Sequence, residues 1–509
     1  MSTTIAFMGA GIATSYTLLP LLDQLIAQPK DATIYVIDKS DDFFCGLAYG
    51  KRSGKSVLLI NSLRSFMPDT HRTDFKIWLN TNKATLTAQF ATDGGGLASE
   101  WLSVNKESID HGLWDDLYIP RFFFGNYIKE EVSKRIAKIA TLSNISLVQI
   151  SKEIITVHKN QFGYTINFED STELSCDVAV LSVGSMPNKK LLAIAAEQDT
   201  SENKIYISNL YQPDLNTNIK AIKAVIQDRK LQKTPTNILV LGANASGLEA
   251  IYRTYDDVAI ANDCHYTCLS THGVMPDGTV DFEKLKGFKT KYLDALVTKE
   301  HLTASEIAKA VNDDLDVADT LQIGAASTVG IISAGFGKLL SKLSEKELIT
   351  FSWDYGNQIG RRQRCAGEHY LSVVDLLSKN KRFEQIKGRF EKLIPKKNFY
   401  ELSYSKEAAL NTSTKEFHVV INCLGSINLQ SPYIPQLVKT IFDKKIAKAN
   451  GSKIGITVND NMEASTDFHV AGPLLAGNLI QDKVLWHLEH YGRIIWSSAI
   501  LADILYKKI

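Results

Sequence analysis

Short, unbroken apolar runs that end in glycine recur along this chain. Ile5–Met8 leads into Gly9-Ala-Gly11, and Asn237–Leu241 leads into Gly242-Ala-Asn-Ala-Ser-Gly247. Runs of this length with no polar alternation predict strands covered on both faces of a parallel sheet. Beyond the first turn the period becomes helical, with Leu18, Leu21, Leu22 and Leu25 on one face. Thr33–Ile37 supplies the next strand of the first unit, and His265–Leu269 that of the second. Cys176–Gly184 and Phe417–Gly425 repeat the buried strand that stops at a glycine. The pattern further predicts a Pro-started helix within Tyr118–Ile139 and strands of a small sheet from Ile145 to Phe168. Helical spacing dominates from Lys284 to Leu348, and an amphipathic helix is expected over Lys483–Tyr506. The polar, glycine-bearing stretch Asn82–Gly96 reads as a surface loop.

The two turns carry the chemistry. Gly9 lets the chain turn sharply, and Gly11, without a Cβ, lets backbone approach a pyrophosphate. The N–H groups of Ile12 and Ala13 then open a helix whose N-terminal dipole favours phosphate. Thr14 stands where a third Gly or Ala is expected. Asp38, followed by Lys39, ends the second strand where an acid binds a ribose hydroxyl. In the second turn Gly242 and Gly247 are present, but Asn244 replaces the central glycine, a residue that tolerates left-handed backbone. Ser246 is expected to cap the helix and touch phosphate, and Glu249 to be a structural helix residue. Two such turns predict a flavoprotein with FAD in one fold and a nicotinamide nucleotide in the other.

Bulk properties narrow the class. A length of 509 residues implies two or three domains. A net charge of +1 lacks the basic footprint of a nucleic-acid binder. No apolar run is long enough to span a bilayer, and the first residues enter a strand without a basic leader, so a cytoplasmic protein is expected. Cys45, Cys176, Cys264, Cys268, Cys365 and Cys423 are scattered and read as free thiols, with no metal site. The expected architecture is α/β: an FAD-binding Rossmann-like domain with an inserted NAD(P)-binding Rossmann-like domain and a helical insertion. Its parts are residues 1–190, 191–415 and the return 416–509.

Further motifs follow in order: GLAYG (Gly46–Gly50), LLINSLRSFM (Leu58–Met67), DFKIWL (Asp74–Leu79), YIPRFFFGNY (Tyr118–Tyr127), DVAVLSVGSMP (Asp177–Pro187), LSTHGVMP (Leu269–Pro276), VINCLG (Val420–Gly425) and AGPLLAGN (Ala471–Asn478). With them the chain resembles bacterial two-Rossmann FAD/NAD(P)-binding flavoprotein oxidoreductases, related to the flavin-dependent N-hydroxylating monooxygenases. The resemblance implies that Leu59–Met67 runs along the isoalloxazine, with Asn61 the polar contact nearest the ring. It implies that Gly184 and Gly425 are the crossings between domains, and that Gly472, Pro473 and Leu474, with Asn478, form the last FAD contact. Arg121, after a proline, would reach FAD phosphates or orient the Asp38 loop, or else form a surface salt bridge. The family often carries an arginine after the serine equivalent to Ser270; here Thr271 and His272 follow, so NADPH and NADH both stay open. Lys286, Lys289 and Lys291 are alternative charges, or a solvated face. Arg361 and Arg364, in a cluster with Arg362, would bind an anionic substrate group such as an amino-acid carboxylate or the nucleotide 2′-phosphate, or else are exposed charges before a helix at His369.

The activity so implied is an FAD-dependent, NAD(P)H-using monooxygenase that hydroxylates an amine or amino-acid nitrogen with molecular oxygen, through a flavin C4a-hydroperoxide. Asn61 and His71 are the catalytic candidates, with His487 and His490 as further histidines to test. Two alternatives stand beside it: a flavin dehydrogenase or oxidase without oxygen insertion, and a non-catalytic nucleotide sensor, which the altered second turn would suit. The absence of Cys-x-x-Cys near either turn speaks against thiol–disulfide chemistry. The helical insertion is expected to line the substrate cleft or to form an interface in a homo-oligomer.

Overall fold

The computed structural model describes residues 2–192, 203–256, 263–278, 281–486 and 491–509. Strand β1 (Thr3–Met8) turns into helix α1 (Ile12–Ala27), and β2 (Ala32–Asp38) returns alongside. A helical excursion follows, containing α2 (Asp69–Asp93), and then α3 (Arg121–Ile139), β3 (Ile145–Ser151) and β4 (Val178–Leu181). The second unit holds β5 (Ile205–Ile207), β6 (Thr236–Leu241), α4 (Ala245–Tyr255) and β7 (Cys264–Ser270). After a set of helices including α5 (Ala304–Thr320) come α6 (Glu368–Lys379), β8 (Phe383–Lys387) and β9 (Val419–Asn422). The chain ends with β10 (Glu463–Ser465), β11 (Phe468–Val470) and α7 (Tyr491–Lys508).

Two sheets result. The first has the order β10-β11-β4-β1-β2-β3, parallel except for the β10–β11 pair. The second, β8-β7-β6-β9-β5, is parallel throughout. Their central strands are the apolar runs of the sequence: Ile5–Met8, Val178–Leu181 and Ile238–Leu241 are all buried. Each such Ile, Leu or Val contributes about 1.5–3 kcal/mol on burial, which is why these runs take the centre. The first sheet and its helices share one core, and a second core lies beneath α4 and α6. The helical insertion has a core of its own around Ile307, Val311, Leu315 and Phe336.

The two sheets are joined by paired crossings. Beyond Gly184 and Gly425, Asn188 bridges Ser426, Lys189 N–H donates to the Gly425 carbonyl at 3.0 Å, and Ile427 N–H donates to Pro187 at 2.8 Å. The outgoing and returning segments thus run side by side, and the return begins after Gly425 rather than at residue 416. Strand β9 is the reason: it pairs with β5 and β6 and belongs to the second sheet. Two other expectations change. Asn82–Gly96 is not a loop; α2 runs to Asp93, with Phe75, Trp78, Leu79, Leu86 and Phe90 buried at helical spacing, and Gly94 only ends it. The C-terminal helix is described over Tyr491–Lys508, while Lys483–Leu485, expected within it, forms a short strand with Asn478–Ile480.

Candidate functional site

The first turn is built so that each glycine has a different reason. Gly9 has φ +118°, and a Cβ there would overlap the Ser182 carbonyl at the end of β4. Gly11 is different: the nearest atom a Cβ would meet is Gly46 Cα at 3.7 Å, an ordinary contact. The protein itself therefore leaves a space over Gly11 at the start of α1, where N–H groups point outward, as an FAD pyrophosphate requires. Thr14 takes the third-glycine place because its hydroxyl donates to the Gly9 carbonyl at 2.6 Å and accepts from the Ser182 hydroxyl at 2.8 Å. Asp38 accepts from Ala10 N–H at 3.0 Å and from the N–H and hydroxyl of Ser40 at 3.0 and 3.1 Å, with Lys39 exposed beside it. Ile12 is half-buried and Ala13 buried at the helix start.

The C-terminal segment closes on the same helix. A Cβ on Gly472, at φ +72°, would come within 3.1 Å of Ala13 Cβ, so the short turn Gly472–Leu475, with Pro473 and buried Leu474, lies on α1. Asn478 does not face that space. Its amide donates to Ile456 and Leu475 carbonyls at 2.7 and 2.9 Å and accepts from Val458 N–H at 3.1 Å, which makes it a loop clamp. Asn61 is half-buried and makes no side-chain hydrogen bond among the described residues, while Met67 is buried. Their stretch is pinned by Leu59 N–H to Ile119 and Arg121 N–H to Val57, at 2.8 and 2.9 Å. His71 is exposed on α2, edge-on to Tyr16 and Tyr491, whose hydroxyls hydrogen-bond to each other. His487 and His490 lie outside the described residues.

In the second turn Asn244, not Ser246, caps the helix. Its side chain accepts from Gly247 N–H at 3.0 Å and donates to the Cys423 carbonyl at 2.8 Å. The amide thus faces inward, and Ser246 stays exposed on the first turn of α4. Gly242 has φ +111°, and a Cβ on Gly247 would overlap the Gly242 carbonyl, so helix and strand touch backbone to backbone. Ser270 Oγ accepts from Gly273 N–H at 3.2 Å and from Gln385 Nε2 at 2.9 Å. Thr271 and His272 are exposed beyond it, and Lys387, in register with Ser270 on β8, adds a cation that adjacency in sequence did not reveal. Lys286 pairs with Glu283 on the surface. In the arginine cluster, Arg362 is tied to Asp319 at 2.7 Å and to Asp316 at 2.5 Å on α5, a structural role; Arg361 is exposed and Arg364 half-buried.

Arg121 departs most from expectation. Its guanidinium forms an ion pair with Glu249 at 2.7 Å, with side-chain exposures of 14% and 1%, so it is neither a surface salt bridge nor free for phosphate. Burial works against its charge, but Glu249 outweighs burial and raises the Arg121 pKa. Beside it lies His369, which sequence reasoning missed for want of any motif. Its ring packs among Tyr370, Tyr118 and Tyr252 at 4.1, 5.0 and 5.8 Å, and among the described residues neither ring nitrogen has a hydrogen-bond partner. Burial, with the Arg121 charge, lowers its pKa from 6.5 to about 3, and burial with Arg229 lowers that of His418 to about 4.

Both imidazoles are neutral when folded and take up protons from about pH 6.5 downward only when unfolded, so stability is full above that value and falls with acid. We expect His369→Phe to flatten the melting temperature between pH 6.5 and 4 and to leave it unchanged or higher at pH 7, since two orphaned nitrogens vanish. An unchanged acid slope in thermal melts would contradict this placement.

One fully parallel sheet, a second parallel but for its edge pair, paired crossings and a glycine turn at each helix start define a two-Rossmann fold. Residues 6–186 match the model of a family described as FAD-NAD(P)-binding, which gives FAD and NAD(P) as the cofactors. An uncharacterized protein of Mycobacterium tuberculosis (strain ATCC 25618 / H37Rv) is 29% identical over 507 residues, 96% of this chain and 92% of its own. Among solved structures, ornithine hydroxylase PvdA from Pseudomonas aeruginosa superposes with a TM-score of 0.54 at 12% identity, over 99% of both chains. L-lysine 6-monooxygenase from Pseudomonas syringae gives 0.54 at 12%, over 100% of both. The Kutzneria sp. 744 ornithine N-hydroxylase KtzI gives 0.53 at 11%, also over 100% of both. At these identities the likeness is one of fold. No described helix is long and apolar enough to cross a membrane.

Proposed function

We propose that this protein is an FAD-dependent, NAD(P)H-using monooxygenase that hydroxylates an amine or amino-acid nitrogen. The observation that carries the reading is the end-to-end fold shared with ornithine and lysine hydroxylases, over 99–100% of both chains. The thiols favour it over disulfide chemistry: all six cysteines are free, five are buried, and burial pushes Cys45, Cys176, Cys264 and Cys268 up to about 12. FAD, when bound, accepts hydride from the nicotinamide and activates oxygen. The chain's part is binding, orientation and exclusion of water. Gly11, Ile12 and Ala13 would cradle the pyrophosphate, Asp38 and Lys39 the adenosine ribose, and Gly472–Leu474 the flavin end. Buried Leu59, Leu63 and Met67 keep water from the cleft, and the free amide of Asn61 would orient the reacting groups. His71, Arg361 and Arg364 are proposed for the substrate, the arginines through an anionic group.

The test is oxidation of NADPH or NADH in air across a panel of amines. Hydroxylamine formed in step with nucleotide consumed supports the reading. Peroxide released in step with nucleotide, whatever the amine, would move the protein to the oxidases.

No carboxylate follows Ser270 to hold a ribose 2′-hydroxyl, and Lys387 stands beside it, which favours NADPH. Lys387→Glu should raise the KM for NADPH about tenfold, or about 1.4 kcal/mol, with little change for NADH. Equal effects on both nucleotides would remove Lys387 from the 2′-phosphate site.

A further inference from the structure

The ion pair at the seam between the two folds has a geometry that reaches both cofactor regions. Glu249 lies in the helix that begins at the second glycine turn. Its buried carboxylate accepts from Arg121 Nη2 at 2.7 Å and from the Tyr211 hydroxyl. Arg121 opens α3 of the first fold and also donates, through Nε, to the Leu58 carbonyl at 3.0 Å. Tyr370, from α6 of the second fold, donates to the same carbonyl at 3.2 Å. Leu58 begins the stretch that carries Asn61. One network therefore links the nucleotide turn of the second fold to the flavin-side stretch of the first.

The far end of α4 is held as well. Asp256, the residue after α4, accepts from Leu97 N–H of the first fold at 2.6 Å and pairs with Arg253. Two fixed points on one helix set its direction, whereas a single point would let it pivot. A buried ion pair adds little net stability over apolar residues of the same size. What it supplies is one geometry, because a carboxylate held by two donors has few ways to satisfy both.

We propose that Arg121, Glu249 and Tyr211 are positioning residues that fix the angle between the two glycine turns, and through it the approach of the nicotinamide nucleotide to the flavin. This rests on the reading that the second fold delivers the reductant.

The experiment compares FAD-loaded wild type with Glu249→Gln, Tyr211→Phe and the apolar pair Arg121→Met/Glu249→Leu. FAD content, melting temperature, NADPH affinity by titration, backbone hydrogen exchange over 57–61 and 245–256, and the limiting rate of anaerobic flavin reduction are measured. Glu249→Gln should slow reduction about tenfold or more at saturating NADPH, with FAD content and affinity nearly unchanged and exchange faster at both segments. Tyr211→Phe, which keeps the ion pair, should slow it about threefold. The apolar pair should recover melting temperature but not rate. Recovery of rate together with melting temperature would overturn the proposal, since the network would then matter only for stability. So would wild-type rates in a folded Tyr211→Phe and a folded apolar pair. A wild type that neither NADPH nor NADH reduces would sink the reductant reading instead, and hydrogen exchange across the seam would still decide the clamp.

Discussion

Gly11→Val should yield a folded protein with almost no flavin. The backbone at Gly11 has φ −85° and ψ −170°, an extended conformation that valine adopts readily. A Cβ there meets only Gly46 Cα at 3.7 Å, so the fold gives no reason for glycine. The reason lies in the empty side of the turn, where branched methyl groups would stand in the path of a pyrophosphate drawn to the first N–H groups of α1. Flavin content after purification and reloading should fall below about a tenth of wild type, with the melting temperature of the apoprotein preserved. Gly9→Ala is the contrast. Its Cβ would overlap Ser182 and its φ of +118° suits no L side chain, so the melting temperature itself should drop. A yellow, fully loaded Gly11→Val would remove the FAD assignment from the first turn.

Ser246→Asp should weaken the nicotinamide nucleotide and leave the fold intact. Ser246 is exposed in the first turn of α4, where a carboxylate interacts favourably with the helix dipole by about 0.3–1 kcal/mol. The same charge faces any phosphate seated on that helix start, and we expect the dissociation constant for NADPH to rise at least about tenfold. Gly247→Asp is a poorer probe than the fingerprint suggests. Its Cβ would overlap the Gly242 carbonyl, and Gly242 is itself wedged against Cys423, so neither backbone can yield. Overpacking of this kind costs about 1–3 kcal/mol or more and would confound affinity with unfolding. If Ser246→Asp binds NADPH like wild type while melting normally, the second turn does not hold the nucleotide's phosphates.

Some of the site was legible because its causes are local. A strand that stops at glycine, a helix that starts two residues later and an acid at the next strand end are consequences of a few adjacent φ, ψ and hydrogen-bond requirements. Thr14 was a local anomaly whose explanation, the hydroxyl of Ser182, lies 168 residues away in the chain. Asn244 suits the turn by its own backbone tolerance, but its capping bond to Gly247 and its hold on Cys423 need both neighbours in place. Asn478 sat inside a resembling motif and proved to be consumed by its own loop. Asn82–Gly96 looked like a loop because polar residues outnumber apolar ones there, yet Leu86 and Phe90 at helical spacing were enough to bury one face.

From its sequence alone this protein was determined to be a two-nucleotide α/β flavoprotein, since apolar runs, glycine turns and helical periods act over a few residues and survive reading one at a time. The tertiary structure decided what meets across distance. It brought Arg121 to Glu249, set Lys387 beside Ser270, left His369 without a hydrogen-bond partner among the described residues, and placed Val419–Asn422 in the second sheet. Such contacts depend on which faces of which elements pack together, and a side chain's partner, burial and charge state exist only once that packing has formed.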